Sequence, residues 1–239
     1  MWKPYGGYPG QSVGGLQNLW LEGRLLLNIK KNDELASSLL REMYREYSED
    51  RAGMHPSVSD LIYCLTKSYY NSLEVGKLEP PDKTKLYFLI GLGLEASLLT
   101  ARKLKQTYGT YEGIHYHVDS QDQGLLELKS TRMSPKTIEE KGPSAGWIKQ
   151  AKSYCKATGV TSFDLAIVHL IQPQFDVYRV SFEQRELDSH WEWMLERKQV
   201  WDRAKEVGEA PAAFQHNEEW ECKECPYLLV CQTKNRMGI

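Results

Sequence analysis

The stretch Tyr111–Ser130, YEGIHYHVDSQDQGLLELKS, decides how the chain folds. Residues suited to strands lie on both sides of Asp122-Gln123-Gly124, so the segment reads as two strands joined by a tight turn. Gly124 suits the left-handed last position of a three-residue hairpin loop. Such a loop pairs Gln121 with Leu125 and sets Asp119 opposite Glu127 on one face of the ladder. The two-residue period of a strand adds Lys129 to that face and turns Leu126 and Leu128 toward an apolar side that can enter a core.

Outward from this hairpin the period becomes helical. After the Pro80-Pro81 break, Lys83–Leu104 carries Leu86, Ile90, Leu94 and Leu98 and reads as a long helix. Farther back, Pro56 interrupts the pattern, and Ser57 or Ser59 can cap a helix through Leu61, Ile62, Cys64, Leu65 and Tyr69. Leu16–Tyr47 alternates in helical fashion, with a second helix near Glu34–Tyr47, behind an arm MWKPYGGYPGQSVGG rich in glycine and proline. Downstream, a loop over Thr131–Gly146 precedes a helix from Trp147 to Ala157 closed by Gly159. Phe163–Ile171 and Phe175–Phe182 read as two more strands, and Leu187, Trp191, Leu195, Trp201 and Ala204 mark a final long helix. The fold class is α/β: a small mixed sheet flanked by helices.

Composition sets outer bounds. The 239 residues suffice for one sizeable core with appendages. A hydrophobic share of 41% and a charged share of 26% are ordinary for a globular chain. The apolar stretches near Leu86–Leu99 and Leu165–Ile171 read as shorter than the roughly 18 residues a bilayer span needs, and the N-terminus lacks a signal-peptide pattern, so the expected location is cytoplasmic. A net charge of −2 gives no global attraction for a polyanion; a nucleic-acid partner would need a local basic patch or metal ions.

Two adjacent carboxylates on one face repel, and a hard divalent cation such as Mg2+ or Mn2+, with its preference for oxygen ligands, relieves that repulsion. A cation at Asp119 and Glu127 would bind a phosphate and acidify a water, with Lys129 stabilising the developing charge. The bland alternative is a solvated Glu–Lys ladder beside an unrelated aspartate. His115 and His117 share the strand face of Asp119, which also permits a His-x-His-x-Asp transition-metal site. Hydrogen bonding to substrate, chiefly by His117, suits imidazoles in a phosphate cleft better.

Asp119, then Glu127-Leu128-Lys129, then Gln150-x-x-x-Tyr154 resembles, in order and spacing, the RecB-like branch of the PD-(D/E)xK nucleases. The resemblance implies a restriction-endonuclease-like core and metal-dependent cleavage of DNA, with Asp119, Glu127 and Lys129 catalytic. It implies a divalent cation held by Glu95, Asp119, Glu127 and the Leu128 carbonyl, with Glu95 standing in a Gly91-x-x-x-Glu95 motif where the more familiar form has histidine. Gln150 and Tyr154, one helical turn apart, would with His117 line the DNA side of the cleft.

The cysteines carry a second signal. Their odd number, five, argues against a disulfide framework, and Cys222-x2-Cys225-x5-Cys231 crowds three thiols into ten residues, a spacing typical of metal ligation. Here the chain resembles, over about Ser57–Gln232, the subgroup that holds the CRISPR-associated Cas-four proteins and AddB-type nuclease domains. That likeness implies a 4Fe-4S cluster on Cys64, Cys222, Cys225 and Cys231 that fastens the two ends of the domain, with Cys155 left out. Zinc satisfies four thiolates equally well on spacing alone.

The expected organisation is an N-terminal arm and helical extension over residues 1–56, a nuclease domain over 57–232 and a tail over 233–239. Expected partners are DNA with free ends or single-stranded character, and an integrase or recombination protein in CRISPR spacer acquisition or phage or host DNA repair. Two other classes fit the same residues: a DNA-end-binding module that does not cut, and a zinc-bound interaction protein.

Overall fold

The structure is a computed structural model that describes residues 32–48, 56–73, 78–103, 105–121, 124–212, 220–223 and 225–237. The expected N-terminal arm, the helical reading of residues 16–31, and Asp122 and Gln123 of the expected turn lie outside the described residues. The chain divides into two compact units, residues 1–38 and 39–239. The boundary falls inside α1, Asp33–Ser48, whose start is capped by Asn32 Oδ1 accepting from the Leu35 amide at 2.9 Å.

Ser57 caps α2, Val58–Ile62, in a reciprocal box: its hydroxyl accepts from the Asp60 amide while Asp60 accepts from the Ser57 amide at 2.9 Å. The single helix expected through Cys64 is broken at Tyr63-Cys64, and α3 runs Leu65–Asn71. Distant side chains cause the break. The buried Glu221 carboxylate accepts from the Cys64 amide at 2.7 Å, and Arg197 donates to the carbonyls of Leu61 and Tyr63. These partners satisfy backbone groups that an unbroken helix would have used.

α4, Asp82–Arg102, follows the Pro80-Pro81 break and ends on Lys103 in a left-handed conformation. Its segment Asp82–Ala101 is, by length and composition alone, long and apolar enough to cross a membrane, which corrects the expectation that no stretch reaches that length. The helical window extends past the leucine run on both sides and takes in glycine, alanine and threonine with few charges. The same helix packs on a strand of the sheet described next, and its Glu95 lines the functional cleft.

β1, Thr107–Tyr111, and β2, Ile114–Val118, form an antiparallel hairpin. Glu112 and Gly113 at its turn both have positive φ (48° and 74°), as a type I′ turn requires. β3, Leu126–Thr131, lies parallel to β4, Ser162–His169, which pairs antiparallel with β5, Gln174–Ser181. The continuous ladder expected between the Asp119 and Glu127 segments is reduced to one bridge, Ser120 with Leu126. That bridge keeps the expected register and still faces Asp119 toward Glu127. β2 takes its ladder partner from β1, and β3 takes its own from β4.

The expectation that Leu126 and Leu128 enter the core is also corrected. Both are half-buried, whereas Glu127 is 6% exposed. α4 covers the leucine side and is itself largely outside the core. The core gathers instead around Leu61, Leu65, Ile114, Leu165, Trp191 and Trp201.

Within the expected loop Thr131–Gly146 stands a short helix, α5, Pro135–Lys141, capped by Ser134 with proline in its first turn. α6 runs Ala145–Thr158 and stops at Gly159 (φ 75°), as its sequence indicated. α7, Gln184–Val207, packs along α6. α8, Trp220–Lys223, and α9, Leu228–Met237, close the described chain, so residues 233–237 of the expected tail are helical.

Candidate active site

Hydrogen-bond parity in the sheet arranges the site. The carbonyl of Leu125 accepts from the Asp164 amide of β4 and that of Thr131 from the Leu170 amide just past its end, so the odd-numbered backbone groups of β3 serve the parallel ladder. The amides and carbonyls of Leu126 and Leu128 therefore turn to the opposite edge. There Leu126 exchanges two bonds with Ser120, and the Leu128 amide donates to Asp119 Oδ2 at 2.6 Å. Asp119 is thus anchored on β3 beside Glu127, and the Leu128 carbonyl points to the same edge.

Lys129 Nζ reaches Glu127 Oε1 at 2.6 Å. The other oxygen, Oε2, is buried with no hydrogen-bond partner among the described residues. Burial, then the charges of Glu127 and Glu95, drive the Asp119 carboxyl far above the usual carboxylate range. Burial likewise raises Glu127, against the opposing pull of Lys129. For Lys129, burial pulls the ammonium down, but the charge and hydrogen bond of Glu127, with Asp119 behind them, outweigh it and raise it.

Glu95, from α4, therefore lies close enough to both carboxylates to act on them. All three line one cleft of about 490 Å3 with Lys129, Gln150 and Tyr154. Gly91, one turn before Glu95, faces β3: a Cβ there would meet Ser130 Oγ at 3.7 Å, an ordinary contact, so space alone does not demand glycine. Gln150 and Tyr154 sit buried on one face of α6, with Gln150 Nε2 donating to the Tyr154 hydroxyl at 2.7 Å. His115 and His117 also line the cleft. His115 Nδ1 is 2.9 Å from Thr110 Oγ1, and His117 stacks on Tyr108 with ring centroids 4.4 Å apart.

Sequence reasoning missed three residues. Gln106 donates to Glu95 Oε1 and accepts from the Tyr108 hydroxyl at 2.6 Å, so it holds the third carboxylate and ties it to the His117 stack. Tyr63 lies in the cleft and acts electrostatically on Lys129 and Tyr154. Gly146, where a Cβ would stand 3.0 Å from the Tyr63 ring, lets α6 approach it. None belongs to a local motif; only the helix break at Tyr63 brings that ring to the cleft.

The four cysteines of the expected cluster come into one neighbourhood. Cys64 and Cys231 are buried, Cys222 and Cys225 half-buried, and Cys231 exerts a charge effect on each of the other three. Burial raises the thiols of Cys64, Cys222 and Cys225. Cys155 stands apart in the hydrophobic core. Among the described residues no three His, Cys, Asp or Glu side chains are already drawn into a ligand shell. The donor chemistry nonetheless suits each group: oxygen donors with an orphaned carboxylate oxygen for a hard cation, and four thiols for a soft one.

No known protein-family profile matches the sequence, and no curated protein matches it as a relative. Among solved structures the fold resembles that of the protein SSO0001, with a TM-score of 0.51 and 17% identity over 82% of this chain and 96% of that one. An alkaline exonuclease from Laribacter hongkongensis, LHK-Exo, aligns with a TM-score of 0.36 and 15% identity over 69% of this chain and 97% of that one. Its complex with dAMP gives 0.30 and 16% over 63% and 97%. The likeness to SSO0001 bears on the fold alone: small sheets flanked by helices.

Proposed function

We infer that the chain is a metal-dependent nuclease of the RecB-like PD-(D/E)xK type that hydrolyses DNA phosphodiesters, acting at DNA ends. The observation that carries this reading is the convergence of Asp119, Glu127 and Glu95, two of them buried, with Lys129 bonded to Glu127 and one carboxylate oxygen unpartnered. A buried acceptor left unmade costs about 1–3 kcal/mol, more when charged, so this cleft gains by binding a cation. Asp119, Glu127, Glu95 and the Leu128 carbonyl would hold Mg2+ or Mn2+. When bound, that ion supplies Lewis acidity toward the phosphate and the attacking water. Lys129 meets the negative charge that builds on the phosphate oxygens, and the Gln150–Tyr154 pair fixes polar groups at the buried wall of the cleft. His117, stacked on Tyr108, offers a hydrogen bond to substrate.

Cys64, Cys222, Cys225 and Cys231 form the companion site, which we assign to a 4Fe-4S cluster; the support is the four-thiol neighbourhood and the resemblance of this spacing to iron–sulfur nucleases of CRISPR and repair systems. The test is anaerobic purification with an absorption spectrum and iron and sulfide analysis, then incubation with end-labelled single- and double-stranded DNA plus Mn2+ or EDTA. Cleavage with Mn2+ and none with EDTA is the expected result. A protein that binds DNA ends without cutting, or a colourless zinc protein with no activity, would replace this reading.

A further inference from the structure

The cleft is poor in cations for a site that would take a polyanion. Among the described residues that line it, Lys129 is the one lysine or arginine, and it lies 2.6 Å from Glu127 Oε1, whereas Asp60, Glu95, Asp119 and Glu127 all supply carboxylates. A divalent ion on those carboxylates would hold one phosphate, but the neighbouring nucleotides then need another source of affinity. The wall offers rings instead: Tyr63, Tyr87, Phe88, Tyr108 and His117. Ring faces hold a strand by stacking on its bases, an attraction that needs no countercharge.

Of these rings, Tyr108 is presented as a platform. It stands opposite His117 in the β1–β2 ladder, and the two rings stack with centroids 4.4 Å apart and planes 4° from parallel. Its hydroxyl donates to Gln106 Oε1 at 2.6 Å, which fixes the ring in its plane. With one face on His117 and its hydroxyl bonded, Tyr108 is nonetheless 55% exposed, so its second face is open. A cross-strand pair accounts for the first face alone. The open face is also close to the chemistry. Gln106 donates to Glu95 as well, so two hydrogen bonds separate Tyr108 from a carboxylate of the cleft. His117 stands two residues before Asp119, about 6.6 Å along the extended chain.

We propose that the open face of Tyr108, with His117 stacked behind it, takes an unstacked nucleobase of the strand, one that flanks the scissile phosphate. The inference rests on the nuclease reading and names the part of the substrate that the carboxylates cannot hold. Every base has a ring face, so the platform positions the strand without reading its sequence.

The test uses the full-length protein in Ca2+, an oxygen-seeking cation, and labelled single-stranded oligonucleotides that each lack one base at a successive position. Affinity is read by fluorescence anisotropy. In wild type, removing the base at one position should weaken binding about 5- to 100-fold. Tyr108→Leu should weaken binding of the intact oligonucleotide by a similar factor, and removing that base should then have no further effect. A merely structural role for Tyr108 would not give this non-additivity. Tyr108→Phe and Tyr108→Trp retain a ring and should retain the sensitivity to base removal. In Mn2+ the same losses should appear in KM, with kcat kept. Should Tyr108→Leu fail to fold, Tyr108→Gln, which keeps a polar end for Gln106, takes its place. Base removal that costs the ringless variant as much as wild type overturns the platform. So does Tyr108→Phe binding as weakly as Tyr108→Leu, since the hydroxyl's hold on Gln106 would then be the cause. A ring-dependent base in a wild type that cuts no DNA with Mn2+ keeps the platform and defeats the nuclease reading instead, whereas cleavage with no ring-dependent base defeats the platform alone.

Discussion

The carboxylate cleft and the cysteine neighbourhood are both polar clusters within residues 39–239, and they are held in opposite ways. In the cleft, regular structure does the positioning. The register of Ser120 with Leu126, the ladder of β3 on β4 and the helical spacing of Gln150 and Tyr154 fix each group, and what remains unsatisfied is charge. At the cysteines, positioning falls to short helices and to single bonds across the chain, above all Glu221 to the Cys64 amide, 157 residues apart in sequence. A site built on a sheet can stand without its ion at the expense of repulsion. One built where chain ends meet depends on its ligand for order, because closing so long a loop has a large entropy cost. The cleft should therefore govern chemistry and the cysteines stability.

The sharpest way to break that contrast is at the carboxylates. Asp119→Ala, Glu127→Ala or Lys129→Ala should lower Mn2+-dependent cleavage by about 10^2–10^3-fold or more, since each acts on charge that develops in the transition state. Asp119→Asn should abolish cleavage too, yet raise the melting temperature in EDTA at neutral pH. Burial, Glu127 and Glu95 push the Asp119 carboxyl up to about 9, so that the fold must keep protonated a group that ionises freely once unfolded, a cost Asn does not carry. A variant that cuts like wild type removes that residue from the site, and an Asp119→Asn protein that melts lower in EDTA shows no such cost.

Next in size is the cysteine end. Cys64→Ser, Cys222→Ser, Cys225→Ser and Cys231→Ser should each bleach the anaerobically purified protein and lower its melting temperature, while Cys155→Ser leaves the colour unchanged. If cluster removal leaves the melt where it was, the clamp is wrong whatever happens to activity. Glu221→Ala strips the Cys64 amide of its acceptor and should destabilise by about 1–3 kcal/mol, read by denaturant melts. An unchanged midpoint would mean that the Tyr63-Cys64 break does not need that carboxylate.

Cys155 supplies a finer control. Burial pushes its thiol up to about 12, so it should resist alkylation in the native state at pH 8 and react only in denaturant. The sign follows: a folded-state value above the unfolded one near 8.5 gives stability that is complete below about pH 8.5 and lost as pH rises toward 12. Rapid native labelling would put Cys155 outside the core. Gly91→Ala should have the smallest effect, a gain of about 0.5–1 kcal/mol from helix propensity with cleavage kept, because the added methyl meets only Ser130 Oγ. Loss of activity there would show that the glycine serves substrate rather than packing.

The sequence by itself determined what local periodicity can encode. It placed α6 with its i,i+4 pair and its Gly159 stop, the strands on either side of residues 170–173, the long α7, and the register that sets Asp119 facing Glu127. Ser134-Pro135 carries a helix-start signal for α5 inside a segment whose Ser, Pro, Lys and Gly content otherwise indicates a loop. Only the tertiary structure decided the rest. A period of two puts Glu127 on a face, but whether that face is wet or buried depends on which distant elements pack over it, and here the carboxylate is buried while the leucines on the other side are half-covered. Helical propensity runs straight through Tyr63 and Cys64. The break that brings one to the cleft and the other to the cysteines exists because Arg197 and Glu221, far along the chain, offer those backbone groups better partners. Pattern is a property of neighbours in sequence, whereas burial and hydrogen-bond competition belong to neighbours in space.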